Sequence, residues 1–402
     1  MKISKIPNEF QEALPILRKI EQAGFEAYFV GGSVRDTLLG RPIHDVDIAT
    51  SAYPSEVKSL FRRTVDTGIE HGTVMILDHG TGYEVTTFRT ESGYQDYRRP
   101  DHVKFVRSLK EDLKRRDFTI NALAMSENGQ ITDLFGGLAD MAAHVIKAVG
   151  DPNERFNEDA LRMMRAVRFA SQLDFKIEAN TLAGISRHSQ LLEKIAVERI
   201  HAEFVKMMMG KDAKRGLDLT LITNLYRHMP GFASKKAQLQ AIATTGFSVQ
   251  NEVQVWALLA FYFNDHSEQI KRFLKAWKSA NQVIEDVILT TELLFKMTAD
   301  DVSNWDLYRA GQRNVQNAVT ILNAGGTTSF SDYLNDYDQL PITNKKQLQI
   351  TGGELIKAGI LSPSPLLGQT LNYLEKAVVQ AEVTNEKQAL IAAVSHFVNG
   401  DD

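Results

Sequence analysis

The sequence changes character at Gly150-Asp151-Pro152, and this change limits the fold more than any other feature. Before it, short β-branched and aromatic runs alternate with helical stretches. After it, apolar residues recur at helical spacing over 158–172, 191–209, 249–263, 267–279, 281–297 and 366–380, with few strand signals. The expected architecture is an α+β head, a mixed sheet with helices, followed by an all-α remainder. No internal repeat or low-complexity tract interrupts it, and proline and glycine near 341–353 and 359–365 mark joints in the C-terminal part.

Within the head, Glu9 to Ala23 carries helical spacing and ends at Gly24. Tyr28-Phe29-Val30 reads as a strand, Gly31-Gly32 as a tight turn, Val34 to Leu39 as a helix start, and Val46-Asp47-Ile48-Ala49 as a second strand. Residues two apart on a strand share a face, so Asp45 and Asp47 are expected to project side by side. Paired carboxylates repel unless a cation lies between them, and a divalent metal fills that role. An Asp-x-Asp pair is also common on solvated turns. The adjacent glycine turn strengthens the metal reading, because it lets backbone N–H groups and Arg35 approach phosphate oxygens. A phosphate site next to paired acids points to metal-dependent phosphoryl or nucleotidyl transfer.

Thr73-Val74-Met75-Ile76-Leu77 and Tyr83-Glu84-Val85-Thr86-Thr87-Phe88 read as a hairpin, with Glu84, Thr86 and Phe88 on one face. Glu84 is either a third carboxylate near the aspartates or a solvated strand residue. The polar, glycine- and proline-containing stretch 91–102 reads as a mobile loop. Lys110, Lys114, Arg115 and Arg116 crowd one segment, which is either a solvated basic face or, with Asp117 and Asn121, a set of groups suited to ribose and phosphate.

On the expected helix 158–172, Arg162, Arg165 and Arg168 follow Asp159 at i+3 steps. Intrahelical pairing accounts for Asp159 with Arg162 and leaves Arg165 and Arg168 without acids at matching positions. A second reading is chemical. Cytosine and adenine both present an exocyclic amine beside a ring-nitrogen acceptor, whereas uracil and guanine present the reverse. An aspartate accepting from the amine and an arginine donating to the ring nitrogen would take CTP and ATP and refuse UTP and GTP.

Composition matters for what it excludes. With no cysteine among 402 residues, disulfides, thiolate zinc sites and cysteine nucleophiles are ruled out. The start MKISKIPNEFQEAL lacks an apolar signal core and no apolar run is long enough to span a bilayer, so a cytoplasmic enzyme with no membrane partner is expected. The net charge of −4 is unlike a generally basic RNA-coating protein. Local basic patches remain: Lys271, Arg272, Lys275 and Lys278 on one expected helix, and Lys206, Lys211, Lys214 and Arg215. Each reads equally as a solvated face or as a contact for an RNA backbone.

Taken in order, these motifs resemble those of the bacterial CCA-adding enzymes, class II tRNA nucleotidyltransferases of the polymerase-β-like superfamily. The resemblance rests on the G-G-x-V-R-D turn, the D-x-D strand, R-R-D-F-T-I-N-A, E-D-x-x-R, Glu198-Arg199-Ile200 and Ile350-Thr351-Gly352-Gly353-Glu354-Leu355. It implies a nucleotidyltransferase head (1–150), a base-recognising neck (151–210), and a body (211–300) and tail (301–402) that bind tRNA. It implies catalytic Asp45, Asp47 and Glu84, with Mg²⁺ on Asp45 and Asp47. It implies nucleotide binding by Gly32, Arg35, Arg116, Asp117, Asn121, Asp159, Arg162, Arg165 and Arg168. Its substrates would be CTP, ATP and the 3′ acceptor end of tRNA, with pyrophosphate released and no nucleic-acid template. A homodimer is compatible with it. The stretch 91–102 would match a flexible loop that is needed when specificity switches from C to A and is shortened or disrupted in CC-only relatives. The competing readings are a CC-adding, A-adding or poly(A) polymerase relative, a small-molecule nucleotidyltransferase, and a non-catalytic RNA-binding module.

Overall fold

The computed structural model describes residues 1–95, 99–326 and 329–399. Its contacts divide the chain into two compact units, Met1–Ser234 and Lys235–Asp402.

The first unit is built on a seven-stranded mixed sheet. Its strands are β1 (Ala27–Val30), β2 (Asp47–Thr50), β3 (Thr64–Gly68), β4 (Thr73–Asp78) and β5 (Thr81–Thr87); β6 (Arg89–Gln95) and β7 (Arg99–Phe105) form a separate ribbon; β8 (Leu123–Met125) and β9 (Ile131–Asp133) complete the sheet. The spatial order is β3-β4-β5-β2-β1-β8-β9. The expected hairpin is β4–β5, whose tight turn is made by His79 and Gly80, both at positive φ.

Strand alternation sorts β1 between two layers. Phe29 faces helix Asn8–Gln22, which buries Phe10, Ala13, Ile16, Leu17 and Ile20, and the Phe10 and Phe29 rings lie 4.5 Å apart. Val30 faces the opposite layer with Ala49, Phe88, Leu109, Leu113, Ala122, Ala124 and Val149. Each large side chain buried in these layers contributes about 1.5–3 kcal/mol. Asp47 pairs with Val30 and therefore lies on this second face, at the rim where the apolar layer ends.

Three expectations change. The strand begins at Asp47, not earlier: β1 ends at Val30 and the chain then turns at Gly31, so Asp45 has no β1 residue to pair with. Phe88 does not share the open face of Glu84 and Thr86; it lies past the end of β5, in the core. The stretch 91–102 is largely paired strand rather than loop: β6 and β7 run antiparallel from Arg89↔Phe105 to Gln95↔Arg99. Its sequence has no apolar alternation to announce a strand, because the ribbon stands apart from the main sheet. Residues 96–98 lie outside the described residues.

Beyond the sheet, the helix expected over 158–172 is two helices, Pro152–Glu158 and Leu161–Leu173. Asp159 between them is extended (φ −138°, ψ 102°), and its side chain accepts the Leu161 N–H at 3.1 Å. An aspartate that caps the next helix competes with continuing the first. Helix Val197–Met208 packs on Leu161–Leu173, where Ser171 Oγ donates to the Met207 carbonyl at 2.6 Å.

The described residues of the second unit form helices and connecting segments without a strand. Helix Glu252–Phe263 is buried nearly all round, and Trp256 packs on Trp277 with ring centroids 4.9 Å apart. Among the described residues no helix is long and apolar enough to cross a membrane.

Candidate active site

Gly31 closes β1 and opens helix Gly32–Leu38. It sits at φ +74°, and a Cβ there would come 3.0 Å from Arg116 Nη1. Both facts call for glycine. The turn lets Arg116 lie across the backbone beside Asp47. A cavity of about 430 Å³ opens here, within the usual size of ligand sites. Gly31, Gly32, Arg35, Asp47, Arg116, Asp117, Asn121, Asp159, Arg162, Arg165 and Arg168 all line it, together with Arg115 and Phe169. Arginines outnumber acids in this lining, which suits a polyanionic ligand.

A second cavity of about 510 Å³ borders the first through Asp47 and is lined by Asp45, Glu84, Glu9 and Glu12. Asp47 and Glu84 are direct partners in the parallel β2–β5 register. Asp45 is not on the strand but faces the same cavity. The Asp47 carboxyl is pushed above its ordinary pKa. Desolvation by the surrounding wall is the main cause, Arg116 opposes it, and Glu84 and Asp45 add repulsion. The donor set fits a hard divalent cation, since carboxylate oxygens have gathered where their charges repel. Among the described residues no three His, Asp or Glu side chains could cage an ion unaided. Two carboxylates completed by ligand phosphate oxygens is the arrangement that suits Mg²⁺.

Several residues expected to contact nucleotide are wired to one another. Arg35 Nη1 donates to Asn121 Oδ1 at 2.7 Å, and Asn121 Nδ2 donates to Asp117 Oδ1 at 3.0 Å. Arg165 donates to Asp117 Oδ2 through Nε at 2.7 Å and Nη2 at 2.5 Å. The Phe118 N–H also reaches Asp117 Oδ1, at 2.8 Å. This chain joins the glycine-turn helix to helix Leu161–Leu173. Burial alone would raise the pKa of Asp117; Arg165, Asn121 and Arg162 reverse that and hold it far below the ordinary carboxylate range. Arg35 is held by Asp36 as well, and lies 4.9 Å over the Phe169 ring.

The arginine array is paired differently from the i+3 expectation. Arg162 donates to Glu158 Oε2 and to the Arg115 carbonyl, both at 2.8 Å, while Asp159 is met by Arg199 at 3.1 Å. The break at Asp159 takes the pair off one continuous helix. Arg165 and Arg168 do have acids, far away in sequence: Asp117 for Arg165 and Glu203, at 2.5 Å, for Arg168. Among the described residues Arg116 makes only long bonds, 3.4 Å to Asp112 and 3.4 Å to the Asn121 carbonyl, and its buried Nε meets no hydrogen-bond partner there. An orphaned donor in a cationic pocket is ready for a ligand oxygen.

Phe169, Glu203 and Asp112 do not stand out in the sequence, and Arg199 appears there only within a motif. Phe169 carries a usable signal, since it follows Arg165 by four residues and so shares its helix face. The basic patches also separate. Lys271, Arg272, Lys275 and Lys278 are exposed around a buried Ile270, Leu274 and Trp277. In the other patch, Lys214 pairs with Asp218, and Lys211 and Arg215 with Asp174.

Comparison with known families gives these features a class. Residues 27–147 match the poly A polymerase head domain, 174–236 the "probable RNA and SrmB- binding site of polymerase A", and 247–394 the tRNA nucleotidyltransferase domain 2. The chain is a nucleotidyltransferase. It is 55% identical to the CCA-adding enzyme of Limosilactobacillus fermentum over 99% of this chain and 100% of that protein. It is 53% identical to that of Ligilactobacillus salivarius over 97% of each. A crystal structure of the Bacillus stearothermophilus CCA-adding enzyme in complex with CTP superposes with a TM-score of 0.89 at 39% identity, covering 98% of this chain and 99% of that one. The chain belongs to the CCA-adding enzymes.

Proposed function

We propose that this enzyme extends the 3′ end of tRNA with CTP and ATP, using Asp45 and Asp47 to hold Mg²⁺. The observation that carries the reading is one cavity lined jointly by the glycine turn, Asp47, Arg116, Asp159 and Arg162, segments up to 131 residues apart. When bound, Mg²⁺ supplies acidification of the attacking 3′-hydroxyl and neutralisation of triphosphate charge. Glu84, opposite Asp47, keeps the negative potential high where the cation sits.

The remaining roles belong to the chain itself. Arg116, through its buried Nε, and the N-terminal turn of helix Gly32–Leu38 hold triphosphate oxygens. The Arg35–Asn121–Asp117–Arg165 chain keeps the cavity walls at fixed spacing, so that the α-phosphate is presented in line with the attacking oxygen. Asp117 thus acts by positioning Arg165 and Asn121, a different role from direct contact with ribose. Asp159 accepts the base's exocyclic amine, and Arg162, which has further N–H donors, reaches the ring nitrogen. The head, neck, body and tail are functional segments within the two compact units, the body spanning the boundary at Ser234, and the exposed stripe Lys271–Lys278 is a tRNA backbone contact.

Asp45→Ala and Asp47→Ala test the reading. Each is expected to abolish nucleotide addition to tRNA while leaving the circular dichroism spectrum unchanged. Retained turnover in both variants would overturn the assignment.

A further inference from the structure

Helix Val197–Met208 carries Arg199 and Glu203, four residues apart and so on one face. Opposite them lie the two ends of the arginine array. Asp159 Oδ2 accepts from Arg199 Nη2 at 3.1 Å and Oδ1 from Nη1 at 3.5 Å. Arg168 Nε donates to Glu203 Oε2 at 2.5 Å, and its guanidinium lies 4.0 Å over the Phe169 ring. The pairing is reciprocal: the cation of helix Val197–Met208 holds the acid just before helix Leu161–Leu173, and its acid holds a cation on that helix. A salt bridge with two donors fixes a carboxylate's rotation as well as its charge.

The rotation of Asp159 matters because its oxygens are nearly all engaged. Oδ1 also accepts the Leu161 N–H at 3.1 Å, so capping and Arg199 together use three of about four acceptor positions. What remains is a single direction in which an incoming amine can donate. Without Arg199 the carboxylate is free to rotate about the Leu161 N–H. It could then accept from a ring N–H displaced to one side, the donor that uracil presents.

We infer that Arg199 is a specificity-determining positioning residue: it fixes the one free acceptor direction of Asp159, and Glu203, by holding Arg168 on Phe169, fixes the far end of the same array. This rests on the reading of Asp159 as the base-contacting acid. Neither residue touches the reacting atoms.

The test measures kcat/KM for CTP and for UTP with the full-length enzyme and tRNA lacking its 3′ end. The variants are Arg199→Gln, Arg199→Lys, Glu203→Gln and Asp159→Ala. Arg199→Gln is expected to lower the CTP-over-UTP ratio roughly ten-fold or more, the effect of one charge-assisted hydrogen bond. Arg199→Lys should recover part of it, and Glu203→Gln should raise KM for CTP more than it lowers kcat. If Arg199→Gln does not fold, the ratio in Arg199→Lys decides: intermediate supports the inference, wild-type refutes it. A lower melting temperature with an unchanged ratio in Arg199→Gln, while Asp159→Ala collapses the ratio, overturns the inference and leaves the base-contacting reading standing. An unchanged ratio in Asp159→Ala overturns both.

Discussion

Replacing Asp117 by asparagine changes one oxygen to an amide and almost nothing in shape. Asp117 is 8% exposed and receives two bonds from Arg165, at 2.7 and 2.5 Å, besides those from Asn121 and the Phe118 N–H. In Asp117→Asn the amide oxygen can still accept from Phe118 and Asn121, which leaves the new NH₂ facing the Arg165 guanidinium, donor against donor. Two charge-assisted bonds at about 1.5–3 kcal/mol each set the upper scale. The Arg165 side chain is 33% exposed and recovers hydration, which lowers the figure. A loss of about 2–4 kcal/mol is expected, near the range for opening a buried pair. The assay is hydrogen exchange on peptides covering 115–125 and 161–173, where the opening free energy should fall by that amount. Trp256, Trp277 and Trp305 all lie in the unit Lys235–Asp402, so tryptophan fluorescence should change far less. The pH dependence has a definite sign. The folded pKa of Asp117 is depressed, so its contribution is complete above the unfolded value of roughly 3.9 and fades as pH falls below it. The wild type should lose protection in these peptides on acidification, and Asp117→Asn should lose less. A change under about 0.5 kcal/mol at neutral pH would refute the network as a structural tie.

Two further outcomes follow from geometry and charge. Gly31→Ala meets both a backbone at φ +74°, ψ −137° and Arg116 Nη1 at 3.0 Å, so it should cost about 1–3 kcal/mol and depress activity by moving Arg116; thermal melting with a turnover assay checks both, and wild-type values in each contradict it. Replacing Lys271 and Lys275 by Ala should weaken tRNA binding and reduce the slope of log K against log salt by about one for each phosphate no longer neutralised. An unchanged slope removes that stripe from the interface.

Much of the site is legible in the sequence because its parts are local. A glycine pair after an apolar strand, two acids two residues apart, and an acid leading three arginines each announce themselves within a few residues. What stays hidden depends on chain crossings. Arg165 meets Asp117, Arg168 meets Glu203 and Asp159 meets Arg199 across 48, 35 and 40 residues. Spacing on one helix can only suggest that two arginines have no acid. The break at Asp159 is concealed because its neighbours keep helical periodicity on both sides, while the break itself comes from a side chain capping the next helix. The ribbon Arg89–Phe105 is polar in sequence, and its strands are set by backbone pairing that no hydrophobic pattern records. The helix Asn304–Gly325 is likewise unannounced, since Gly311 at φ +75° interrupts it.

The central claim is that the cavity at Asp47 chooses nucleotides with protein groups and joins them to tRNA. Its most direct test incubates the enzyme and Mg²⁺ with tRNA lacking its 3′ CCA, supplies each of the four nucleoside triphosphates singly and CTP with ATP, and sequences the 3′ ends. CTP alone should give ends in CC, CTP with ATP should give CCA and stop, and UTP or GTP should leave the tRNA essentially unextended. Long A tails, ends arrested at CC when both nucleotides are present, or ready incorporation of UTP would contradict the account.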